Sequence, residues 1–131
     1  MVLQGLREIL TRCPGLTHLD VGWCGIAQEG VEMMAVTLPF AESLTHLNLS
    51  HNNVRDRGVR KLEPALPHCR KLEALDLSDN AVSNDGVETL CAVVGQCPRL
   101  ASLVLSAFGV SSLALSRLRS ARPNGVQVLL V

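Results

Sequence analysis

A repeat of 28 residues is the feature that most constrains how this chain of 131 residues can fold. Four segments align without a gap, and each has an aliphatic residue at its first, fourth, sixth and eleventh positions. They begin at Leu16, Leu44, Leu72 and Leu100. Because the spacing is constant, we expect each unit to form the same small motif and to bury its apolar side against its neighbours.

The second half of each unit has the spacing of a helix. Two apolar columns three residues apart place their side chains on one helix face: Val31, Val59, Val87 and Leu115, then Met34, Leu62, Leu90 and Leu118. Helix breakers share a later column, at Pro39, Pro67, Gly95 and Pro123. In the second unit this pattern predicts a helix from about Asp56 to Pro67, which Pro64 should kink at a cost of about 3 kcal/mol.

The first half of each unit has the alternation of a short strand. Neighbouring side chains on a strand point to opposite sides, so the paired aliphatic residues should face the interior: Leu19/Val21, Leu47/Leu49, Leu75/Leu77 and Leu103/Leu105. The pattern L-x-x-L-x-L-x-x-N/C-x-L resembles the leucine-rich-repeat family over nearly the whole chain. The unit length and the full helix resemble the ribonuclease-inhibitor-like subclass. Cys-Pro-x-Leu at Cys13 and Cys97, with Cys24 in the asparagine column, is similar to the cysteine-containing repeats of F-box proteins.

The resemblance implies an α/β fold, a right-handed leucine-rich-repeat solenoid or horseshoe arc, with parallel strands on the concave face and helices on the convex face. We expect residues 1–131 to form a single domain of about four full repeats, a partial N-terminal helix and a terminal strand. Whether the chain is a fragment of a longer protein stays open. The apolar final segment Val126–Val131 should either seal the end of the stack or associate end to end with another molecule.

The family also implies a role for asparagine in the turn after each strand. Asn52 and Asn80 should hydrogen-bond backbone groups there, Cys24 should substitute weakly, and Phe108 cannot substitute. Phe108 therefore predicts either looser stacking near the C-terminal end or a ring that caps the core.

Composition excludes several classes of function. Lys plus Arg and Asp plus Glu number 12 each, which disfavours nucleic acid and anionic membranes as partners. No apolar run approaches the roughly 18 residues that span a bilayer. The odd number of cysteines, 5, predicts free thiols buried as small apolar groups in a reducing compartment, cytoplasmic or nuclear. Glycine-rich phosphate loops, nucleophile elbows and zinc-protease motifs are missing from the sequence, so we expect no enzyme and no cofactor.

Residues that alternate with the buried leucines should project from the concave face. We expect four rows across the strands, including a third row at Gly22, Ser50, Ser78 and Ser106. Fold stability should not require these side chains, so they are candidates for recognition of a protein. The partner-binding residues are predicted to be His18, Asp20, Trp23, His46, Asn48, His51, Asp76 and Asp79.

Two of these residue types allow more than one interpretation. Trp23 is either an anchor for the partner or a cover for the edge of the next repeat. His18, His46 and His51 with Asp20 could bind a metal or respond to pH, but duplication of Thr-His-Leu explains His18 and His46 more simply, and we expect no metal.

The sequence thus predicts a protein–protein interaction module. The alternatives are a structural subunit of a larger assembly, a substrate receptor of a ubiquitin ligase, which the Cys-Pro-x-Leu resemblance alone supports, and, last, an activator of a small GTPase. Charged residues after the strands, Asp56 and Arg122 among them, should form a solvated convex face.

Overall fold

Strands and helices alternate along the chain, as the repeat predicts. The computed structural model describes residues 2–122 and 125–131, without the side chains of residues 2–4. The helices are α1 (Val2–Arg12), α2 (Gln28–Thr37), α3 (Arg55–Leu62), α4 (Asn84–Gln96) and α5 (Ser112–Arg119). The strands are β1 (His18–Asp20), β2 (His46–Asn48), β3 (Ala74–Asp76), β4 (Ser102–Leu105) and β5 (Gln127–Leu130). Two short 3₁₀ helices, Leu38–Phe40 and Leu66–His68, follow α2 and α3.

The five strands form one parallel sheet in chain order. Leu47 pairs with Leu19 on one side and with Leu75 on the other, and Leu75 pairs with Leu103, so the register follows the 28-residue repeat. The last step is shorter, since Leu103 pairs with Val128. With α2, α3, α4 and α5 in the connections between parallel strands, the chain is an α/β leucine-rich-repeat solenoid.

The predicted strand leucines fill the interior. Leu47, Leu75 and Leu103 are between 0% and 2% exposed, and the helix columns at Val31, Val59 and Val87 are equally buried. Leu19 is only partly buried because β1 lies at the end of the sheet. The core is therefore one elongated aliphatic layer between the sheet and the helices.

Asn52 and Asn80 make the backbone hydrogen bonds expected of them. The Asn80 side chain is 1% exposed, donates to the carbonyls of Leu49, Leu77 and Ser78, and accepts from the Val54 N–H. Each such side chain joins the turn of its own unit to the turn of the preceding unit. A deeply buried polar side chain is compatible with a stable fold when its donors and acceptors all have hydrogen-bond partners, as those of Asn80 do.

The alternative that Phe108 caps the core is wrong, since its ring is 94% exposed. The turn that carries it is instead followed by a shorter unit, since Leu103 pairs with Val128 and not with a residue 28 positions later. The ring cannot bond the turn as asparagine does, and it points away from the stack.

The prediction that a kinked helix runs to Pro67 is also wrong. Helix α3 ends at Leu62, before Pro64, and the chain continues through a turn into the 3₁₀ helix Leu66–His68. Proline lacks an N–H and its ring crowds the carbonyl four residues earlier, so the α-helix stops instead of bending. Pro123, from the same predicted column of helix breakers, lies outside the described residues.

Asp56 joins two repeats and does not lie on a solvated face as predicted. It is half-buried, its Oδ1 accepts from the Ser83 N–H at 2.7 Å, and its Oδ2 accepts from the Ser83 hydroxyl. Gly86 packs against it: a Cβ there would lie 2.7 Å from Val82 Cγ1 and would also clash with Asp56 Oδ1. The contact between α3 and α4 therefore has no room for a larger residue at Gly86.

Arg122 is likewise not part of an exposed basic cluster. Its guanidinium donates to the carbonyl oxygens of Cys97 at 2.6 Å, Gly125 at 2.8 Å and Leu100. These bonds tie the turn before β4 to the connection that leads into β5.

All five cysteines have free thiols, but only some are buried. Burial raises the pKa of Cys69 to about 12 and that of Cys97 to about 11. Cys13 and Cys24 are exposed, so the prediction of buried thiols is wrong for these two. None of the helices in the described ranges combines the length and apolar composition needed to cross a bilayer.

Candidate functional site

Five of the eight predicted site residues lie side by side on the face of the sheet that points away from the helices. His18 pairs in register with His46, Asp20 pairs with Asn48, and Asn48 pairs with Asp76, so they form two rows across β1, β2 and β3. With Ala74, Ser102 and Val104 they line a hollow of about 320 Å³. This is the concave face that the alternation of the strands predicts.

The two histidines are held by the threonines that precede them. Their rings stack with centroids 4.1 Å apart and an angle of 8° between planes. His18 Nδ1 lies 2.9 Å from Thr17 Oγ1, and His46 Nδ1 lies 2.8 Å from Thr45 Oγ1. Sequence reasoning left out the threonines, although the repeated Thr-His-Leu could have indicated them.

Stacking and the threonine bonds hold the two imidazoles in place. Across residues 2–122 and 125–131 no three His, Cys, Asp or Glu side chains are grouped as metal ligands would be. The paired rings instead form a flat surface at one side of the hollow.

Asp20, Asn48 and Asp76 each combine a structural bond with a free polar atom. One side-chain oxygen of each accepts from the N–H two residues later, at Gly22, Ser50 and Ser78, over 2.8–2.9 Å. The expectation that the fold does not need these side chains is therefore wrong. The second carboxylate oxygen of Asp20 and of Asp76 accepts no hydrogen bond from the described residues. The side-chain nitrogen of Asn48 donates none to them. These atoms remain available to a ligand.

The third predicted row is wrong in its middle members. Ser50 and Ser78 are 7% and 5% exposed, because the chain turns inward directly after the strand. The Ser78 hydroxyl donates to Asp76 Oδ1 at 2.7 Å, so it helps to position the Asp76 side chain and does not face the hollow.

Trp23, His51 and Asp79 form a separate row in the turns that follow β1, β2 and β3. All three have left-handed backbone conformations, with φ of 58°, 54° and 52°. The Trp23 ring stacks on His51 with centroids 4.0 Å apart, and His51 Nδ1 lies 2.8 Å from Asp79 Oδ2. Trp23 still exposes 77% of its surface. It therefore covers the next unit and also presents an open aromatic face, so the two interpretations of this residue are compatible.

The charge of this face is one-sided. Asp20 and Asp76 line the hollow, whereas no lysine or arginine does, and Asp79 lies in the neighbouring row. Lysines and arginines lie on the helices and in turns instead: Lys61 of α3 pairs with Glu32 of α2, and this hydrogen bond lowers the pKa of Glu32. The concave face thus offers free carboxylate oxygens, a histidine pair and an exposed indole.

Comparison with known proteins agrees with this architecture. A family model described as "Leucine Rich repeat" matches residues 12–35, 41–62 and 68–91, which is more than half of the chain. No curated protein sequence matches the chain.

Two solved structures have the same fold. The structure of leiomodin-1 actin-binding site 2 superposes with a TM-score of 0.81 at 13% identity, covering 100% of this chain and 80% of that one. The C-terminal domain of tropomodulin from Caenorhabditis elegans gives 0.75 at 12% identity, covering 100% and 83%. At such low identity the likeness concerns the fold alone.

Proposed function

The chain belongs to the leucine-rich-repeat family, and we propose that it is a protein–protein interaction module that binds its partner on the concave sheet face. One observation carries this proposal: the residues that face the hollow keep free polar atoms beside an indole that is 77% exposed. Tryptophan is enriched among the residues that contribute most to binding at protein interfaces. The similar leiomodin-1 structure is that of an actin-binding site, which also supports a protein as the partner.

We assign the contact to His18, Asp20, Trp23, His46, Asn48, His51, Asp76 and Asp79. All eight lie on or directly after β1, β2 and β3, so one partner could touch them together. We propose no catalytic role, because the hydroxyls that bond His18 and His46 belong to Thr17 and Thr45, which do not line the hollow.

Several narrower assignments rest on the sequence pattern. We propose one domain over residues 1–131, of the ribonuclease-inhibitor-like subclass, on the basis of the 28-residue unit with a full helix. Exposed free thiols at Cys13 and Cys24 favour a reducing compartment, cytoplasmic or nuclear. The role in a ubiquitin ligase still depends on the Cys-Pro-x-Leu resemblance alone.

A second candidate function is end-to-end association through β5. Strand β5 pairs with β4 on one side and with no strand of the described chain on the other. Leu129, Leu130 and Val131 are 42%, 39% and 72% exposed beside this free edge. Light scattering over a concentration series tests it: association should weaken in Leu130→Lys, and a monomer at all concentrations would contradict it.

Capture of partners from cell extract, followed by mass spectrometry, tests the main proposal. Trp23→Ala and Asp76→Lys should each lose the specific partner, because both alter the concave face. Glu88→Lys makes the same charge change on the exposed surface of α4 and should retain it. A partner that binds both concave variants as well as wild type, but loses Glu88→Lys, would contradict a concave binding site.

A further inference from the structure

We infer that the concave hollow receives an arginine side chain of the protein partner. This inference rests on the proposed function, since it specifies the chemistry of the partner at the same face. It follows from three properties of the hollow: the sign of its charge, the placement of its free acceptors, and its flat and apolar surfaces.

The charge favours a cation. Asp20 and Asp76 are the carboxylates that line the hollow, and no lysine or arginine is among the described residues that line it. Neither carboxylate forms an ion pair with a described residue. Asp76 is half-buried, so its charge is less screened than that of a fully exposed group. A positive group from a partner would therefore gain attraction without having to displace an internal cation.

The placement of the acceptors favours a branched donor. Asp20 and Asp76 occupy the same row on β1 and β3, separated by Asn48 on β2. Two steps across a sheet place their backbones about 10 Å apart. A guanidinium carries five N–H donors in a rigid planar fork and can donate to acceptors at different edges of that plane, whereas an ammonium acts as a point charge.

The surfaces favour a planar group on an aliphatic stem. His18 and His46 form a flat stacked pair along one side of the hollow, and Ala74 and Val104 line the far side. A guanidinium stacks on flat rings, and the methylene groups of arginine pack on apolar surface. Arginine thus fits the polar, flat and apolar parts of the hollow together.

The chain itself supplies a mild substitution for the test. Asn48 occupies the same row as Asp20 and Asp76 and accepts from the Ser50 N–H at 2.8 Å, as the aspartates do from their own turns. Asparagine at position 20 or 76 should therefore keep the structural hydrogen bond and remove only the charge. The reverse change, Asn48→Asp, should add a carboxylate to the middle of the row.

The probe is a short peptide of alternating serine and arginine, acetylated and amidated, compared with peptides that carry citrulline, lysine or glutamate instead of arginine. Calorimetry at low salt gives the affinity, and fluorescence of Trp23, which is the single tryptophan, reports binding near β1. The arginine peptide should bind the full chain, the lysine peptide should bind more weakly, and the citrulline and glutamate peptides should not bind.

Among the variants, Asp76→Asn should weaken binding of the arginine peptide about fivefold, which is about 1 kcal/mol, and Asn48→Asp should strengthen it. Asp85→Asn removes an exposed carboxylate of α4 and should change nothing. Circular dichroism and urea unfolding of each variant verify that it folds.

Three results would overturn the inference: no binding of the arginine peptide, equal binding of the citrulline or lysine peptide, or an affinity unchanged by Asp76→Asn and Asn48→Asp. A captured partner that is lost by Trp23→Ala but unaffected by Asp76→Asn would also overturn it, while the proposed concave site would stand. Loss of neither would reject both.

Discussion

Asn80→Ala tests whether the asparagine column holds neighbouring repeats together. The change removes the Asn80 side-chain oxygen, which is the only acceptor that the described chain offers the buried Val54 N–H. It also removes the Asn80 side-chain N–H that donates to the buried Leu77 carbonyl. The Leu49 and Ser78 carbonyls each keep another donor. Leaving a buried polar group without a partner costs roughly 1–3 kcal/mol, so two such groups should lower the free energy of unfolding by about 2–6 kcal/mol.

Urea unfolding, followed by circular dichroism, measures this loss. With an m value of about 2 kcal/mol per molar, the midpoint should fall by about 1–3 M. Asn53→Ala is a matched control, because Asn53 is exposed and its side chain accepts only from Arg55 Nε. The control should change the free energy of unfolding by less than about 0.5 kcal/mol. Equal effects of the two variants would refute the role assigned to Asn80.

The remaining predictions concern packing, the C-terminal connection and the thiols. Gly86→Ala should lower the melting temperature because the added Cβ clashes, although alanine is the better helix former by about 1 kcal/mol. Gly5→Ala in α1 is the control and should raise the melting temperature, since a Cβ there meets no atom within 4 Å. Arg122→Ala should destabilise the chain by about 2 kcal/mol and speed hydrogen exchange in β5; unchanged exchange there would contradict the role of its three carbonyl bonds. At pH 8 iodoacetamide should modify the exposed Cys13 quickly and spare Cys69, whose raised pKa of about 12 keeps it protonated, until urea unfolds the chain; rapid modification of native Cys69 would contradict its burial.

The fold could be predicted because the repeat sets the same constraint four times. The register of Leu19, Leu47, Leu75 and Leu103 in the sheet follows directly from their spacing in sequence. A period of two then decides which strand residues are buried and which face the hollow. Errors within one unit have little effect on the assignment, because the other units fix it.

Contacts that join different units were harder to predict. Asp56 bonds Ser83 across two units, and Arg122 reaches three carbonyls in two turns. A single sequence presents both as ordinary surface charges, since their partners lie in another unit or turn and all except the Ser83 hydroxyl are backbone groups. Pro64 alone could have indicated that α3 ends before it, since proline disfavours a helix interior. The prediction gave more weight to the pattern of one continuous helix in each unit.

The candidate site was predicted in position but not in its internal bonds. Alternation placed His18, Asp20, His46, Asn48 and Asp76 on one face, as the structure has them. Alternation could not show that Asp20, Asn48 and Asp76 also accept hydrogen bonds from the turns after their strands, because this depends on the direction of each side chain. The left-handed conformations of the turn residues were hidden for the same reason: histidine, aspartate and tryptophan carry no signal as strong as glycine.

The most direct test of the concave binding surface is an NMR titration of the isotope-labelled chain with its captured partner or with the arginine peptide. Shift changes should concentrate on the amides of β1, β2 and β3 and on the Trp23 indole N–H, while the outward surfaces of α2, α3 and α4 stay unchanged. Changes confined to those helices, with the strand amides unaffected, would contradict the account.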